Sequence, residues 1–337
     1  MAVPCGMANL GNTCFLNSCI QILLQIDEIS AIHSIMNHCN DSDDALIVNE
    51  FVELRKAMLP ATNSVIHPGK FVHLIHRVAQ NKRRELFTGW AQNDLSEFLL
   101  FMIECMHNSR KRAMNIRLNG NPANNTDRLA LECYTMLKTV YETGDYSEFA
   151  ELFQGMHVSR LSTPDGLQTH SNRPEIFGVL DLPMPPPAIL SSHPIHLYDC
   201  FDLFIAEEIL SGWKNDKTGQ LESVRKNMVF WNFPKILIIT LKRYSSDGLN
   251  KNNAFVDFPL DNLDLSPYVV GYKANTYKYR LFGVANHMGG INGGHYTAFA
   301  LSDSLGKWHC YNDDRVSEID VNQVVSPSAY CVFYRRE

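Results

Sequence analysis

The stretch Gly6-Met-Ala-Asn-Leu-Gly-Asn-Thr-Cys14-Phe-Leu-Asn-Ser-Cys-Ile-Gln-Ile-Leu-Leu24 decides the fold, because it places a cysteine at the start of a predicted helix. Its apolar residues recur with the spacing of one helix face, at positions 16, 20, 23 and 24. Asn12 and Thr13 are favourable N-cap residues, and Gly11 lets the backbone turn sharply into the helix. The sequence therefore predicts an amphipathic helix over residues 14–27, with the cysteine in its first turn.

Cys14 is a candidate nucleophile. A thiol at a helix N-terminus feels the positive end of the helix dipole, so we expect it to ionise more readily than an ordinary cysteine. Asn9, five residues upstream, can donate its side-chain amide to a developing oxyanion. The alternative is a buried structural thiol, which is what we expect for most of the other eight cysteines.

A histidine in the C-terminal third of the chain is the candidate base. A predicted strand over 277–287 runs into the glycine-rich loop 288–294, and His295 begins the next strand. A turn then leads to a third strand that ends at Asn312, so a hairpin can place His295 and Asn312 side by side. A histidine beside glycines can also be purely structural. The aromatic strand and the Asn-Asp pair that follow favour catalysis, with Asn312 as the orienting residue and Asp313 ranked second.

Three further blocks accompany the two around Cys14 and His295. In chain order the five blocks are Gly6 to Leu24, Gln92-Asn-Asp-Leu-Ser-Glu-Phe98, Phe233-Pro-Lys-Ile-Leu-Ile-Ile-Thr-Leu-Lys-Arg-Tyr244, Gly293-Gly-His-Tyr296 with Trp308 and Tyr311-Asn-Asp313, and Ala329-Tyr-Cys-Val-Phe-Tyr334. Together they resemble the conserved blocks of the ubiquitin-specific proteases, a family of papain-like cysteine deubiquitinases. The matches cover essentially the whole chain.

The resemblance implies an α+β, papain-like cysteine protease fold, in which a helical thumb packs against a β-rich palm with antiparallel fingers. We expect a single catalytic domain over residues 1–337, with the thumb over about 1–150 and the fingers and palm over about 151–337. The sequence pattern agrees, because predicted helices precede strand-like runs that begin at Glu151. The predicted helices beyond the first lie at 45–58, 69–79, 92–107 and 128–142. Cys14 then lies on one lobe and His295 on the other, so the active site is predicted at their interface.

The resemblance also implies a reaction. It is hydrolysis of the isopeptide or peptide bond after the C-terminal Gly-Gly of ubiquitin, through an acyl-thioester on Cys14. A Gly-Gly tail has no side chains, so a narrow channel selects it by steric exclusion. By the resemblance, His287 lines this channel and Gln92 supports it. Glycines along the channel allow close backbone approach to the tail.

Two acidic residues of the second block are candidates for binding the tail of ubiquitin. Asp94 and Glu97, on the predicted helix that carries Gln92, are placed to pair with arginines of that tail. The alternative for both is an ordinary solvated helix face. The full set of candidate substrate-binding residues is Gln92, Asp94, Glu97, His287, Gly293, Gly294 and Tyr296.

Three other functions remain open at this level. A catalytically weak ubiquitin-binding module would keep the fold but lose a triad residue, whereas Cys14, His295 and Asn312 are all present. A papain-like peptidase acting on other proteins would lack the channel residues. A protease for another ubiquitin-like modifier ending in Gly-Gly is the hardest alternative to separate.

The composition of the chain limits the kinds of binding partner and compartment that we expect. A formal net charge of -6 argues against a nucleic-acid surface. The sequence shows neither a signal peptide nor 18 consecutive apolar residues, so we expect no membrane span. Nine cysteines without paired spacing suit a reducing compartment. We therefore expect an intracellular monomer, cytoplasmic or nuclear or both, whose partners are ubiquitin and ubiquitinated proteins.

The predicted fingers lack a metal site. Most members of the resembled family carry two Cys-x-x-Cys pairs at the finger tips, which hold a tetrahedral zinc. The corresponding stretches here, 159–168 and 213–219, contain no cysteine. The neighbouring candidates match no ligand spacing: His157, His170, His193, His196 and Cys200. We expect no metal and no cofactor, and fingers held by strand pairing and by the turns 163–166 and 216–219.

Overall fold

A computed structural model describes residues 3–35, 42–186, 194–216, 218–245, 250–290, 293–302 and 305–337. Helices dominate the first part of the chain and strands the rest, so the predicted α+β class is confirmed. The helices are α1 (Cys14–Leu23), α2 (Asp27–Ser34), α3 (Asp43–Met58), α4 (Gly69–Asn81), α5 (Leu95–Asn108), α6 (Asn125–Glu142), α7 (Glu148–Phe153) and α8 (Leu197–Ile205). The boundary between lobes near residue 150 stays a prediction.

The strands build one large sheet, a second sheet of four strands, and two short pairs. They are β1 (Gly6–Met7), β2 (Val65–Ile66), β3 (Gly155–Ser162), β4 (Thr169–Phe177), β5 (Leu180–Pro183), β6 (Ile195–His196), β7 (Glu208–Lys214), β8 (Leu221–Asn232), β9 (Ile236–Lys242), β10 (Val256–Asp257), β11 (Leu263–Asp264), β12 (Lys278–Gly290), β13 (Gly293–Ser302), β14 (Lys307–Asn312), β15 (Arg315–Glu318) and β16 (Ala329–Arg336).

Helix α1 is the centre of the helical part. All ten of its residues are buried, because it packs against α5 on one side and against β12 and β13 on the other. The prediction of an amphipathic helix over 14–27 is therefore wrong in two respects: the helix ends at Leu23, and it has no solvent face. A helix enclosed on all sides needs partners for its polar side chains. Gln21 has one, since its amide donates to the carbonyl oxygen of Cys5 at 3.0 Å.

Side-chain N-caps set where several helices begin. Ser42, Asp94, Asn124 and Ser147 each accept a hydrogen bond from a backbone N–H in the first turn of the helix that follows. Such caps satisfy N–H groups that have no partner within the helix. The cap at Asp94 corrects the predicted helix over 92–107, because Gln92 and Asp94 precede α5 instead of lying on it.

The large sheet positions the C-terminal half of the candidate site. Its strand order is β15-β14-β13-β12-β16-β9-β5, and β11 pairs with β12 at the side. The strands β12, β13 and β14 pair in antiparallel fashion, as the sequence predicts. The first four residues of β9 are all apolar because their side chains alternate between two cores: Ile236 and Ile238 face the helices around α1, while Leu237 and Ile239 face α8.

The predicted fingers are the second sheet, with order β4-β3-β8-β7, and all of its pairs are antiparallel. Both predicted turns close by backbone hydrogen bonds, from Gly166 to Thr163 at 2.7 Å and from Gly219 to Asn215 at 2.7 Å. The two hairpins are also joined, because the guanidinium of Arg225 donates to the carbonyl oxygen of Pro164 at 2.5 Å. Backbone pairing and this contact hold the tips of the sheet together.

Three predictions for the middle of the chain are corrected. The strand-like character predicted from Glu151 is wrong at its start, since α7 is a short helix capped by Ser147. The sequence over 175–182 predicts one strand, but this stretch divides between the two sheets, with a break at residues 178–179. Helix α8 was not predicted, although its buried residues follow helical spacing: Leu197, Cys200 and Phe201.

The consecutive prolines at 183–187 predict an extended linker, and the structure differs from this prediction. Pro183 ends β5, the edge strand of the large sheet, where a missing N–H is tolerated. Pro187 and His193 lie outside the described residues.

No single helix in the described ranges has the length and apolar composition needed to cross a membrane. One bent pair of helices, α1 with α2 at 74°, meets that test only in combination.

The absence of zinc stays a prediction with a direct test. Among the residues that the structure describes, no group of three or more His, Cys, Asp or Glu side chains is arranged to hold a metal ion. We expect the purified protein to contain no stoichiometric zinc and to show the same Tm before and after treatment with a chelator. Elemental analysis and thermal unfolding measure these two quantities. One zinc per chain, lost together with a lower Tm, would contradict the prediction.

Candidate active site

The loop before α1 fixes the position of Cys14. Gly11 and Asn12 have positive φ angles of 107° and 55°, in the region where glycine and asparagine are favoured. The predicted caps Asn12 and Thr13 make no side-chain cap bond to the helix. Asn9 organises the loop instead, because its side-chain oxygen accepts from the backbone N–H of Gly11 at 2.9 Å and of Thr13 at 3.2 Å.

The environment of Cys14 overturns the expectation of an easily ionised thiol. Burial raises the pKa of Cys14, since the side chain is only 3% exposed and a thiolate there loses its hydration. The backbone amide of Tyr296 favours the thiolate, but the nearby carboxylate of Asp313 opposes it. The expectation failed because the sequence indicates where the helix begins but not how deeply Cys14 is buried. A base is therefore needed to take the proton from Cys14.

His295 and Asn312 meet as predicted. They lie on the paired strands β13 and β14, and Nε2 of His295 is 2.7 Å from Oδ1 of Asn312. An amide oxygen can only accept, so Nε2 carries a proton and Nδ1 of the neutral ring is the basic nitrogen. Strand β13 packs directly on α1. The two lobes thus bring the ring of His295 to the side of the molecule where Cys14 lies.

Asp313 does not orient His295. One carboxylate oxygen accepts from the side-chain amide of Asn9 at 2.9 Å, and the other accepts from the side-chain amide of Asn17 at 2.7 Å. Its backbone oxygen also accepts from Met7 at 2.9 Å. Asp313, ranked second as the orienting residue, therefore connects both the loop before α1 and α1 itself to the end of β14. Sequence reasoning missed Asn17, whose signal is a polar residue within a buried apolar helix.

An open cleft of about 400 Å³ runs beside Cys14. Most of the predicted substrate-binding residues line it, namely Gln92, Asp94, His287, Gly293, Gly294 and Tyr296. Glu97 does not line it and is exposed in the first turn of α5. Tyr244 and Ser245, which were not singled out in the sequence, form part of the wall. The sequence between Arg243 and Phe255 fits an inserted loop over the channel, and its residues 246–249 lie outside the described residues.

Gln92 joins the two lobes at the cleft. Its side-chain nitrogen donates to the carbonyl oxygen of Gly294 at 2.8 Å, and its side-chain oxygen accepts from the N–H of Gly294 at 3.2 Å. Gln92 thereby satisfies both the backbone N–H and the backbone oxygen of Gly294, the residue that precedes His295. A Cβ at Gly294 would lie 2.2 Å from Nε2 of His287 and 2.6 Å from the oxygen of Met288. A side chain at Gly294 would therefore collide with the cleft wall. This is a second reason for a glycine here, in addition to the predicted close approach of a substrate.

Asp94 is a structural carboxylate. It caps α5, and its second oxygen accepts from the hydroxyl groups of Tyr296 at 3.0 Å and Tyr330 at 2.8 Å. Burial and the charge of Asp94 raise the pKa of both tyrosines, so they remain protonated donors. The alternative for Asp94, a residue on an ordinary solvated helix face, is therefore wrong. Its pairing with an arginine of the substrate stays a prediction and would compete with these tyrosines.

His287 lies in the wall between β13 and the loop that follows β9. Only 6% of its surface is exposed, and its ring centroid is 4.5 Å from that of Tyr296. Its Nδ1 is 3.1 Å from the hydroxyl of Tyr244 and 3.0 Å from Nζ of Lys251. Burial and the charge of Lys251 lower the pKa of His287 to about 4, so the ring is neutral at physiological pH. No pattern in the sequence indicates a role for Lys251.

The order of these elements is that of a known family. The sequence model for "Ubiquitin carboxyl-terminal hydrolase" matches residues 5–334. The chain belongs to the ubiquitin carboxyl-terminal hydrolase family. It is 32% identical to human ubiquitin carboxyl-terminal hydrolase 2 over 342 residues, covering 98% of this chain and 54% of the relative. It is also 32% identical to human ubiquitin carboxyl-terminal hydrolase 21, covering 98% of this chain and 61% of that relative.

A solved structure has the same fold. The Ubp8 module bound to ubiquitin aldehyde has a TM-score of 0.70 at 22% identity, covering 98% of this chain and 69% of that chain. The predicted papain-like fold of a ubiquitin-specific protease domain is confirmed by this likeness. The chain spans about half the length of the human hydrolase 2 that it matches.

Proposed function

We propose that this family member is a deubiquitinating cysteine protease. It hydrolyses the isopeptide or peptide bond that follows the C-terminal Gly-Gly of ubiquitin, through a thioester on Cys14. One observation carries the proposal: Cys14 heads a buried helix that packs on the strand of His295, and His295 is held by Asn312 at 2.7 Å. The names of the relatives at 32% identity support the same activity.

The proton on Cys14 is removed as the substrate binds. Because burial raises the pKa of Cys14, the free enzyme keeps the thiol protonated, and His295 acts as the general base at Nδ1. Attack of the sulfur on the carbonyl carbon then gives a tetrahedral oxyanion and an imidazolium. Asn312 keeps the ring orientation through Nε2–H, and the imidazolium returns its proton to the leaving amine. Water, activated by the same ring, hydrolyses the thioester.

The loop before α1 stabilises the oxyanion. Asn9 is held at both ends, since its oxygen accepts from backbone N–H groups of the loop and its nitrogen donates to Asp313 at 2.9 Å. An amide nitrogen has two hydrogens, so one remains to face the substrate. The exposed position of Asn9 beside the head of α1 suits this role. A donor fixed before the reaction stabilises developing charge without reorganisation.

The substrate tail occupies the cleft beside Cys14. We propose that Gly293 and Gly294 contact it through their backbone, and that His287 and Tyr296 form the wall. Glu97 remains available for an arginine of the tail, because it is exposed and no residue pairs with it among those the structure describes. The partners are ubiquitin and ubiquitinated proteins. An intracellular location, cytoplasmic or nuclear or both, is part of the proposal, since the cysteines that the structure describes are all free thiols. We also propose that the protein is a monomer.

Hydrolysis of ubiquitin carrying a C-terminal fluorogenic amide tests the proposal, with other Gly-Gly modifiers bearing the same fluorophore assayed in parallel. We expect the highest kcat/KM with ubiquitin. Turnover of another modifier in preference to ubiquitin would identify a protease for that modifier. Binding of ubiquitin without turnover would identify a ubiquitin-binding module, and either result would contradict the proposed function.

A further inference from the structure

We propose that Lys251 is a positioning residue of this site. Its ammonium holds the ring of His287 in the tautomer with the proton on Nε2, and through that ring it fixes Gly294 and the start of the strand that presents His295. This inference rests on the proposed function for its catalytic consequence, whereas its structural content can be tested without any substrate.

The ammonium of Lys251 is fully engaged in the cleft wall. Its three hydrogens meet three acceptors: Nδ1 of His287 at 3.0 Å, the backbone oxygen of His287 at 3.0 Å and the backbone oxygen of Gly289 at 3.1 Å. The ammonium also lies 5.8 Å from the ring centroid of Tyr244. The backbone of Lys251 forms an isolated antiparallel bridge with Tyr244, which anchors the lysine at the end of β9. A lysine with this many fixed partners is part of the wall, not a solvated side chain.

The contact with Lys251 determines the tautomer of His287. An ammonium donates and never accepts, so Nδ1 of His287 must offer its lone pair. The hydroxyl of Tyr244, 3.1 Å from the same nitrogen, can share that lone pair as a second donor. A neutral ring that is unprotonated at Nδ1 carries its single hydrogen on Nε2. The tautomer thus follows from the donor chemistry of two neighbours.

Nε2 of His287 lies against the strand that leads into the catalytic histidine. It occupies the space where a Cβ of Gly294 would stand, only 2.2 Å from that position. On its other side Gly294 is held by Gln92 through two hydrogen bonds. The backbone just before His295 is therefore clamped between His287 on the palm and Gln92 on the helical lobe. Rotation or protonation of His287 would disturb this clamp.

The charge state of His287 depends on the groups around it. A positive charge on the nearby His295 disfavours one on His287, and His295 becomes an imidazolium in the proposed reaction. Titratable and charged groups face His287 from each element packed on it: Lys251 and Tyr244 from the end of β9 and its loop, Tyr296 and His295 from β13, Tyr330 from β16, and Asp94 at the start of α5. Asp94 favours a charged His287, and burial and Lys251 oppose it. Lys251 thus keeps the wall neutral.

Nitrogen NMR of the histidine rings tests the tautomer directly. In the wild-type protein we expect Nδ1 of His287 to show the shift of an unprotonated nitrogen and Nε2 that of a protonated one, down to pH 5. The His287→Gln protein assigns the signals. In Lys251→Met, which removes the three donors at nearly equal length, we expect the Nδ1–H tautomer to appear and the ring to titrate at higher pH.

The kinetic test uses matched lysine variants. Loss of a hydrogen bond from a charged donor corresponds to roughly a tenfold or larger effect, so we expect Lys251→Met to lower kcat/KM for ubiquitin substrates about tenfold. We also expect the loss to be greatest at low pH, where His287 becomes charged. Lys251→Arg, which keeps the charge and donors, should recover part of the activity. Lys242→Met is the control, since Lys242 is exposed on β9 and belongs to no part of the site.

Two outcomes would overturn the proposal. One is a proton on Nδ1 of His287 in the wild-type protein, which needs no variant to observe. The other is an unchanged tautomer, ring titration and kcat/KM in folded Lys251→Met. If Lys251→Met fails to fold, the wild-type spectrum and the Lys251→Arg protein still decide the matter. Because the spectra are recorded without substrate, they separate a failure of this inference from a failure of the proposed function.

Discussion

Replacement of Cys14 by alanine is expected to abolish hydrolysis of ubiquitin conjugates while ubiquitin binding is retained. The change removes the only atom that can form the thioester, so kcat should fall by roughly 10⁴-fold or more. It removes little volume from the buried helix α1, and the loop held by Asn9 does not depend on the sulfur. Fluorogenic hydrolysis measures the loss, and fluorescence polarisation with labelled ubiquitin measures the binding that remains.

Cys133→Ala is the matched control for Cys14→Ala. Cys133 is also a buried thiol, but it lies in the separate core between α6 and the fingers. We expect this variant to keep wild-type turnover. Ubiquitin ending in an electrophile should modify Cys14 alone, and peptide mapping locates the adduct. An adduct on Cys5 or Cys19, or wild-type turnover by Cys14→Ala, would show that the nucleophile has been misassigned.

Replacement of Asn312 by alanine is expected to reduce kcat by a hundredfold or more, since an unoriented imidazole is a poor base, and loss of the orienting residue in a comparable triad costs about 10⁴. Asn312 supplies the acceptor 2.7 Å from Nε2 of His295. Asn312→Asp keeps an acceptor oxygen and should retain most of the activity. Steady-state kinetics of the two variants distinguish loss of orientation from general damage at the end of β14.

Asp313→Ala should affect turnover less than Asn312→Ala but stability more. Its carboxylate accepts from Asn9 and Asn17 and has no contact with His295 among the hydrogen bonds of the described residues. The buried amide of Asn17 would lose its shortest hydrogen bond and keep only longer ones to the backbone oxygens of Ala8 at 3.3 Å and Met7 at 3.5 Å. We expect a cost of about 1–3 kcal/mol in the free energy of unfolding. Denaturant unfolding measures this cost. If Asp313→Ala proved more damaging to kcat than Asn312→Ala, support of the oxyanion through Asn9 would outweigh orientation of the histidine.

The parts of the site that the sequence predicts are those encoded locally. Cys14 could be placed at the start of a helix because glycine, cap residues and an apolar spacing lie within a few positions of it. The approach of His295 to Asn312 could be predicted because two consecutive hairpins determine it. In both cases the deciding contacts join residues close in sequence, so the pattern of a short segment is sufficient.

The parts that were missed depend on distant contacts. The raised pKa of Cys14 follows from enclosure of α1 by both a helix and a sheet, and no segment of the chain encodes that enclosure alone. From the sequence, Asp94 resembles a surface acid, because its hydrogen bonds from Tyr296 and Tyr330 come from distant parts of the chain. Lys251 is one of many lysines until the fold brings it to His287. The short helix α7 was missed because a buried helix of six residues and a buried strand have similar composition.

The position of β16 has a consequence for when the candidate site can form during synthesis. This strand lies in the interior of the large sheet, between β12 and β9, and its Tyr330 binds Asp94 across 236 positions of the chain. Closing so long a loop costs entropy before the contacts form, and sheets built from remote segments fold slowly. A chain growing on the ribosome therefore contains the Cys14 segment long before the cleft can form. The proposed activity therefore requires that the C-terminal strand has been synthesised and has entered the sheet.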